Sequence, residues 1–126
     1  HGSIRRQRQM CIRDRENVSV QPPSGTAFQA SMAAATGVLC GAGFETPAEA
    51  LFLKKKLLVA PMRDQHEQHY NAAALADLDI PVLSKLSKQS VPKLSAWVDD
   101  TAVPNIDFPD DTNAAIDYLL SLAAAK

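Results

Sequence analysis

A turn of small residues at positions 41–46, Gly-Ala-Gly-Phe-Glu-Thr, lies between a short apolar run and a predicted helix. Small side chains let backbone N–H groups approach a ligand closely, and a helix start adds unpaired N–H groups and a positive dipole end. The turn alone leaves a purely structural role open, because strand–glycine–helix turns are also common for steric reasons. The pattern predicts an anion site for a phosphate or diphosphate at Gly41, Ala42, Gly43, Phe44, Glu45 and Thr46.

The residues after this turn carry a complete helix start signal. Thr46 suits the N-cap, Pro47 suits the first helical position, and Glu49 is spaced to complete a capping box with Thr46. We therefore expect a helix over residues 46–53 in which Glu49 caps the helix start.

The sequence His-Glu-Gln-His at positions 66–69 suggests metal binding, but its two histidines are three residues apart. The zinc motif of metalloproteases needs them four apart on one helix face, so no metal site is expected. No Ser-His-Asp order and no isolated carboxylate pair offers a catalytic base. Cys40 ends an apolar run and is expected to be a small buried side chain, not a reactive thiol.

Predicted strands and helices alternate along the chain. Strand-like runs occur at residues 17–20, 37–40, 57–60 and, more weakly, 80–83, and helix signals at 26–35, 46–53, 67–78, 92–98 and 112–125. This order predicts an α/β fold with a Rossmann-like parallel sheet and helices on both faces. Ligands of such sheets bind at the carboxyl ends of the strands, which are followed here by loops 21–25, 41–45 and 61–66.

Two of the predicted helices carry further local signals. Thr26 is available as the N-cap of the first. Tyr70, Ala74 and Leu78 are four apart and are predicted to form the apolar face of the helix over residues 67–78.

The chain has 126 residues, of which 46% are hydrophobic and 21% charged, and its net charge is −1. These values are those of one globular domain with a single core and exclude a disordered or fibrous chain. No apolar run reaches the roughly 18 residues of a membrane span, and a cytoplasmic location is expected.

The first 16 residues carry five arginines against two acidic residues. A basic segment can bind nucleic acid by releasing counterions from phosphates. The missing initiator Met and the unusual composition favour a non-native or disordered arm instead. We therefore predict that residues 1–16 lie outside the fold, that residues 17–126 form the domain, and that no nucleic acid is bound.

Three blocks of sequence, residues 40–51, 57–61 and 67–72, together resemble the donor-site signature of GT-B glycosyltransferases. They are most similar to the MurG-like and macrolide-glycosyltransferase-like families, and the similarity extends over residues 17–97. The resemblance implies that the chain is the C-terminal, nucleotide-sugar-binding half of such an enzyme. The N-terminal acceptor domain, with the catalytic base, would be absent from it, and any peripheral membrane association would belong to that half.

The resemblance also implies a role for each matched position. The turn at residues 41–44 and the helix start after it would hold the donor diphosphate, and Glu49 would accept hydrogen bonds from the ribose. Glu67 and Gln68 would contact hydroxyls of the transferred sugar, although both are also typical of a solvated first helical turn. The donor would be a UDP-sugar, which is a substrate, and no cofactor is implied.

Other positions are less clearly matched. Asn71 would fix the start of its own helix, and the nucleotide base would lie against the loop at residues 21–22. Relatives often have Gly-Lys-Pro where this chain has three lysines at residues 54–56. The missing glycine puts the geometry of that turn in doubt, and a solvated loop is expected there.

We therefore expect a hexosyltransferase that uses a UDP-sugar and an acceptor hydroxyl, and of which this fragment alone is inactive. Two alternatives remain open. One is a sugar-nucleotide epimerase of the same fold. The other is a non-catalytic, doubly wound module that packs on a partner through the apolar stripe of Ile116, Leu119, Leu120 and Ala123.

Overall fold

A computed structural model describes residues 17–125 of the chain, in two compact units that divide after Ala34. The predicted arm at residues 1–16 lies outside the described residues. In the first unit, helix α1 spans Gly25–Ala34. The Ala27 N–H donates to Ser24 Oγ at 3.4 Å, so Ser24 caps α1 in place of Thr26.

The strand predicted over residues 17–20 is wrong. Residues 17–19 are exposed, and no ladder pairs this segment within the described residues. A four-residue strand depends on a ladder partner and a buried face for its stability, and this run has neither.

The second unit contains a parallel sheet. Strand β1, Gly37–Cys40, pairs with strand β2, Lys56–Val59, so that Gly37 lies opposite Lys56. Val82 adds an isolated parallel bridge to Val59. The strand predicted over residues 80–83 is thus reduced to one bridge, because Pro81 has no N–H to extend a ladder.

Helices connect and follow these strands in the predicted order. They are α2 at Glu45–Phe52, α3 at His66–Asp77, a 3-10 helix at Lys88–Ser90, α4 at Val91–Asp99 and α5 at Thr112–Ala124. The parallel sheet with helices around it confirms the α/β, Rossmann-like prediction. Among residues 17–125, no helix has the length and apolar character needed to cross a bilayer.

Strand β2 forms the centre of the core. Leu57, Leu58 and Val59 are fully buried, as their continuous apolar run predicts for a strand covered on both faces. Burial of each such side chain contributes about 1.5–3 kcal/mol relative to exposure. The other buried apolar residues of this unit are Ala42, Pro47, Ala50, Leu51, Ala72, Ile80 and Leu83.

Helices α2 and α3 end in the same motif. After α2, the Lys54 N–H donates to Leu51 O and the Lys55 N–H to Ala50 O, at 3.0 and 2.9 Å, which defines a Schellman motif. Lys54 has a φ of 56°, and Asp79 repeats the motif after α3 with a φ of 62°. The chain thus makes the turn without the glycine that favours this left-handed conformation, at a cost of about 1–2 kcal/mol.

The interpretation of residues 54–56 as a solvated loop is wrong for Lys56, which is buried in β2. Its Nζ donates to the carbonyls of Trp97, Val98 and Asp100 at 2.8, 2.9 and 2.5 Å, and lies 5.0 Å from the centre of the Trp97 ring. The last carbonyls of a helix lack partners and attract a cation. Lys56 therefore closes the end of α4 and joins it to the sheet.

Residues 100–111 form an irregular linker between α4 and α5. Lys54 Nζ holds the linker by donating to Ile106 O at 2.9 Å and by pairing with the Asp107 carboxylate. Beyond the linker, α5 leaves its apolar residues Ile116, Leu119 and Leu120 about half exposed or more.

Candidate functional site

The carboxyl ends of β1 and β2 bring two loops together. The Ala60 N–H donates to Cys40 O at 2.9 Å, which extends the pairing one residue beyond the strands. The turn at residues 41–44 and the loop at residues 60–65 therefore begin side by side, at the edge where ligands of parallel sheets bind. Residues 21–25, the third predicted ligand loop, belong to the first unit and are exposed, and their contact with a base stays a prediction.

Gln68 of α3 links these two loops through one oxygen atom. Its Oε1 accepts hydrogen bonds from the Ala42 N–H at 3.2 Å and from the Met62 N–H at 3.0 Å. One turn further along α3, Asn71 Nδ2 donates to the Ala42 carbonyl at 3.0 Å. The resemblance implied that Asn71 fixes its own helix start, but Asn71 instead supports a turn 29 residues earlier.

The two glycines of the turn have different surroundings. A Cβ added at Gly41 would lie 3.2 Å from Gln68 Oε1, so a small residue is needed there for the turn to pack on α3. A Cβ at Gly43 would meet no atom within 4 Å. Gly41 therefore lets Gln68 pack closely against the turn, whereas Gly43 borders open space.

Four consecutive backbone N–H groups, those of residues 43–46, have no hydrogen-bond partner within the part of the chain that the structure describes. They belong to the end of the turn and the first two residues of α2, and the next residue is Pro47, which has no N–H. The same residues line a cleft of about 310 Å³, together with Cys40 and Gly41. Unpaired N–H groups at a positive helix end form an anion site.

Ala42, unlike residues 43–46, has a hydrogen-bonded N–H group. Its N–H and its carbonyl are both bound by α3 side chains, and the residue is fully buried. Of the six predicted turn residues, Gly43, Phe44, Glu45 and Thr46 line the cleft and carry unpaired N–H groups, and Ala42 is the buried residue before them.

The capping box predicted for Thr46 and Glu49 is wrong. Helix α2 begins at Glu45, with Phe44 as N-cap in helical conformation and no side chain bonded to the helix start. The chain becomes helical two residues earlier than a Thr46 N-cap requires, so the spacing of the capping box no longer fits. The Glu49 side chain is exposed, and its carboxylate accepts no hydrogen bond among residues 17–125. Since it lies four residues after Glu45, the two carboxylates share one helix face.

The start of α3 carries the remaining predicted residues. Glu67 lies exposed in the first turn, and its contact with a sugar stays a prediction, as does that of Gln68. His69 Nε2 is 3.0 Å from Arg63 O and so ties the 60–65 loop to α3. No group of three His, Cys, Asp or Glu side chains positioned for a metal ion occurs in the described residues.

Cys40 lies half-buried at the edge of the cleft. Burial disfavours the thiolate and raises the pKa of the Cys40 thiol to about 11. A thiol that stays protonated at neutral pH is a poor nucleophile, which agrees with the structural role expected for it.

A parallel α/β unit with a glycine-containing turn and unpaired N–H groups at its carboxyl edge is typical of Rossmann-like domains. The sequence model of glycosyl transferase family 1 matches residues 4–99, and the chain belongs to this family. No match was found among curated proteins or among solved structures. The domain is thus that of a GT-B glycosyltransferase, which favours transfer over epimerisation, and the narrower MurG-like or macrolide-type assignment stays a prediction.

The sequence pattern predicts the wrong inward face for α3. The face predicted from Tyr70, Ala74 and Leu78 is exposed. Spacing at i, i+3, i+4 and i+7 marks one helix face. The side chains that turn inward at this spacing are Gln68, Asn71, Ala72 and Leu75. Two of them are polar, so a search for apolar residues alone selects the wrong face.

Proposed function

We propose that this domain binds a nucleoside-diphosphate sugar of the uridine type and provides it for transfer of a hexosyl group to an acceptor hydroxyl. The observation that carries the proposal is the row of four unpaired N–H groups at residues 43–46, in residues that line the cleft at the start of α2. A diphosphate offers several acceptor oxygens and negative charge, and both match this row.

The same groups would assist the reaction. As the bond between the sugar carbon and the diphosphate oxygen breaks, the electron pair stays on that oxygen. The acceptor oxygen bonds to the sugar carbon, and the proton of the acceptor hydroxyl passes to a catalytic base of the acceptor domain. Fixed N–H donors and the helix dipole stabilise the charge that develops on the leaving diphosphate, without reorganisation at the moment of reaction. In this scheme the chain requires no metal ion to neutralise the leaving group.

Glu49 is the proposed ribose contact. It lies on the exposed face of α2, four residues and therefore about 6 Å along the axis from Glu45 at the helix start. With the diphosphate at the helix start, a ribose attached to it would lie along this face. A carboxylate without a partner accepts hydrogen bonds from two hydroxyls of such a ring.

A calorimetric titration of the whole chain with UDP tests the proposal. We expect binding by the natural chain and a loss of affinity of about tenfold or more in Glu49→Ala, because a hydrogen bond to a charged group is removed. Asp117→Ala, which removes an exposed carboxylate on α5, is the matched control and should bind UDP as the natural chain does. Absence of UDP binding, or equal affinity of Glu49→Ala and the natural chain, would contradict the proposal.

We further propose, from the resemblance, that the acceptor and the catalytic base come from a separate N-terminal acceptor domain, which is the partner of this one. The chain by itself is then expected to bind UDP without consuming a UDP-sugar. Release of UDP from UDP-glucose or UDP-N-acetylglucosamine by the chain alone would show that a base lies within it.

A further inference from the structure

We propose that Gln68 is a positioning residue that couples the turn at residues 41–44 to the loop at residues 60–65 through its single Oε1 atom. The identity of the ligand in the cleft rests on the proposed function. The coupling itself rests only on hydrogen bonds between described residues.

The orientation of the Gln68 amide is fixed by its two partners. The Ala42 and Met62 N–H groups are both donors, so the oxygen of the side chain must face them and the nitrogen must point away. Nε2 has no partner among residues 17–125. Gln68 therefore presents a hydrogen-bond donor outward, and a ligand group that meets it must be an acceptor.

Ala42 is held from two sides, which fixes the groups that follow it. Gln68 binds its N–H and Asn71 binds its carbonyl, and the residue is fully buried. The next residue, Gly43, carries the first of the four unpaired N–H groups. The position of this row relative to α3 is therefore set by the two α3 side chains.

Gln68 and Asn71 differ in the number of loops that each side chain binds. Asn71 binds only the turn, whereas Gln68 binds the turn and also Met62 in the neighbouring loop. Loss of Asn71 should loosen one loop, and loss of Gln68 should loosen both. A ligand that orders the turn should therefore also order Met62 of the 60–65 loop, as long as Oε1 joins the two.

Amide hydrogen exchange, measured by NMR on the whole chain without ligand, tests this coupling. In Gln68→Ala we expect exchange of the Ala42 and Met62 amides to accelerate together, by about fivefold or more for the loss of a hydrogen bond. Gln68→Glu keeps an oxygen at this position and should restore both rates towards those of the natural chain. Asn71→Ala should leave Met62 unchanged, and Tyr70→Ala, at an exposed position of α3, should change neither amide.

The outcomes separate the coupling from the ligand. Unchanged exchange at Met62 in Gln68→Ala, or a failure of Gln68→Glu to restore it, would overturn the coupling. If Gln68→Ala fails to fold, amide exchange in Gln68→Glu is compared with that in Asn71→Ala. Exchange in the turn should accelerate in Asn71→Ala and not in Gln68→Glu.

A second arm of the experiment adds UDP. In the natural chain we expect UDP to slow exchange at residues 43–46 and at Met62, and in Gln68→Ala at residues 43–46 alone. Equal slowing at Met62 in both chains would overturn the coupling. If UDP changes nothing in the natural chain while the ligand-free pattern is as expected, the proposed function is wrong and the coupling stands.

Discussion

The two ends of the parallel sheet differ in whether their polar groups have hydrogen-bond partners. At the amino end, the carbonyls that finish α4 are bound by Lys56, and the helices that lead into the sheet end in closed Schellman motifs. At the carboxyl end, the N–H groups of residues 43–46 and the carboxylates of Glu49 and Glu67 have no partners within the described residues. Unpaired polar groups do not contribute to the stability of the isolated fold, whereas a ligand can satisfy them. The polar groups of the amino end therefore stabilise the fold, and those of the carboxyl end are the ones that the proposed ligand would bind.

The sharpest test of this division is Lys56→Met, which keeps the length of the side chain and removes its charge. Three part-buried carbonyls lose the donor that a buried lysine provides, so we expect the free energy of unfolding to fall by about 3 kcal/mol. Urea denaturation followed by circular dichroism measures this loss. UDP affinity of the folded protein should stay within about twofold of that of the natural chain, because an effect near 0.4 kcal/mol or less is expected at the far end of the sheet.

Lys85→Met is the matched control, because Lys85 is an exposed lysine, and its stability should stay within about 0.5 kcal/mol of that of the natural chain. A Lys56→Met protein as stable as this control would show that the amino end does not depend on the lysine. If Lys56→Met lost as much free energy of UDP binding as of unfolding, the two ends of the sheet would not have separate roles.

The sequence predicts the carboxyl end better than the amino end. A helix that follows a glycine-containing turn needs only local signals, and these lie within residues 37–53. The role of Lys56 depends on carbonyls about 40 residues later, and nothing in a run of three lysines distinguishes the buried one. Propensity and spacing describe neighbours along the chain, so contacts of this range escape them.

The same limit applies within the candidate site. Gly41 and residues 43–46 were identified from the turn itself, but the support from Gln68 and Asn71 joins residues 26 and 29 positions apart. The capping box failed for a related reason. Thr46, Pro47 and Glu49 fit the local rule, yet the turn is bound to α3, and α2 begins at Glu45. Tertiary contacts thus override a complete local signal.

A second prediction compares one glycine from each end of the sheet. A Cβ at Gly37 would lie 3.0 Å from two atoms of the Trp97 ring and 3.3 Å from Lys56 Cβ, whereas Gly43 borders open space. We expect Gly37→Ala to lower the free energy of unfolding by about 1–3 kcal/mol through overpacking and to leave UDP affinity unchanged. Gly43→Ala should change stability by less than about 1 kcal/mol and weaken UDP binding, because its methyl group occupies space next to the unpaired N–H groups.

The double variant Gly37→Ala with Trp97→Phe distinguishes overpacking from other causes. The two ring atoms nearest the added methyl group are in the outer ring of the indole, which phenylalanine lacks. The destabilisation by Gly37→Ala should therefore be smaller in the Trp97→Phe background, as a double-mutant cycle in urea would show. If the losses of stability from Gly37→Ala and Trp97→Phe add, contact with the Trp97 ring is not the cause of the destabilisation. An effect of Gly37→Ala on UDP affinity would contradict the separate roles of the two ends.

The smallest expected effect concerns Cys40, the ionisable thiol at the edge of the cleft. Burial raises the pKa of Cys40 from 9.0 to about 11, so the folded state favours the protonated thiol. Its contribution to stability is complete below about pH 9 and is lost as the pH rises towards 11. The rate of alkylation by iodoacetamide, measured in a Cys11→Ser variant, should therefore keep rising above pH 9 and have its midpoint near pH 11. A plateau below pH 9 would show a thiolate stabilised by the unpaired N–H groups nearby. In that case the anion site would extend to Cys40, and the unpaired N–H groups at the carboxyl end would stabilise the Cys40 thiolate as well as a bound ligand.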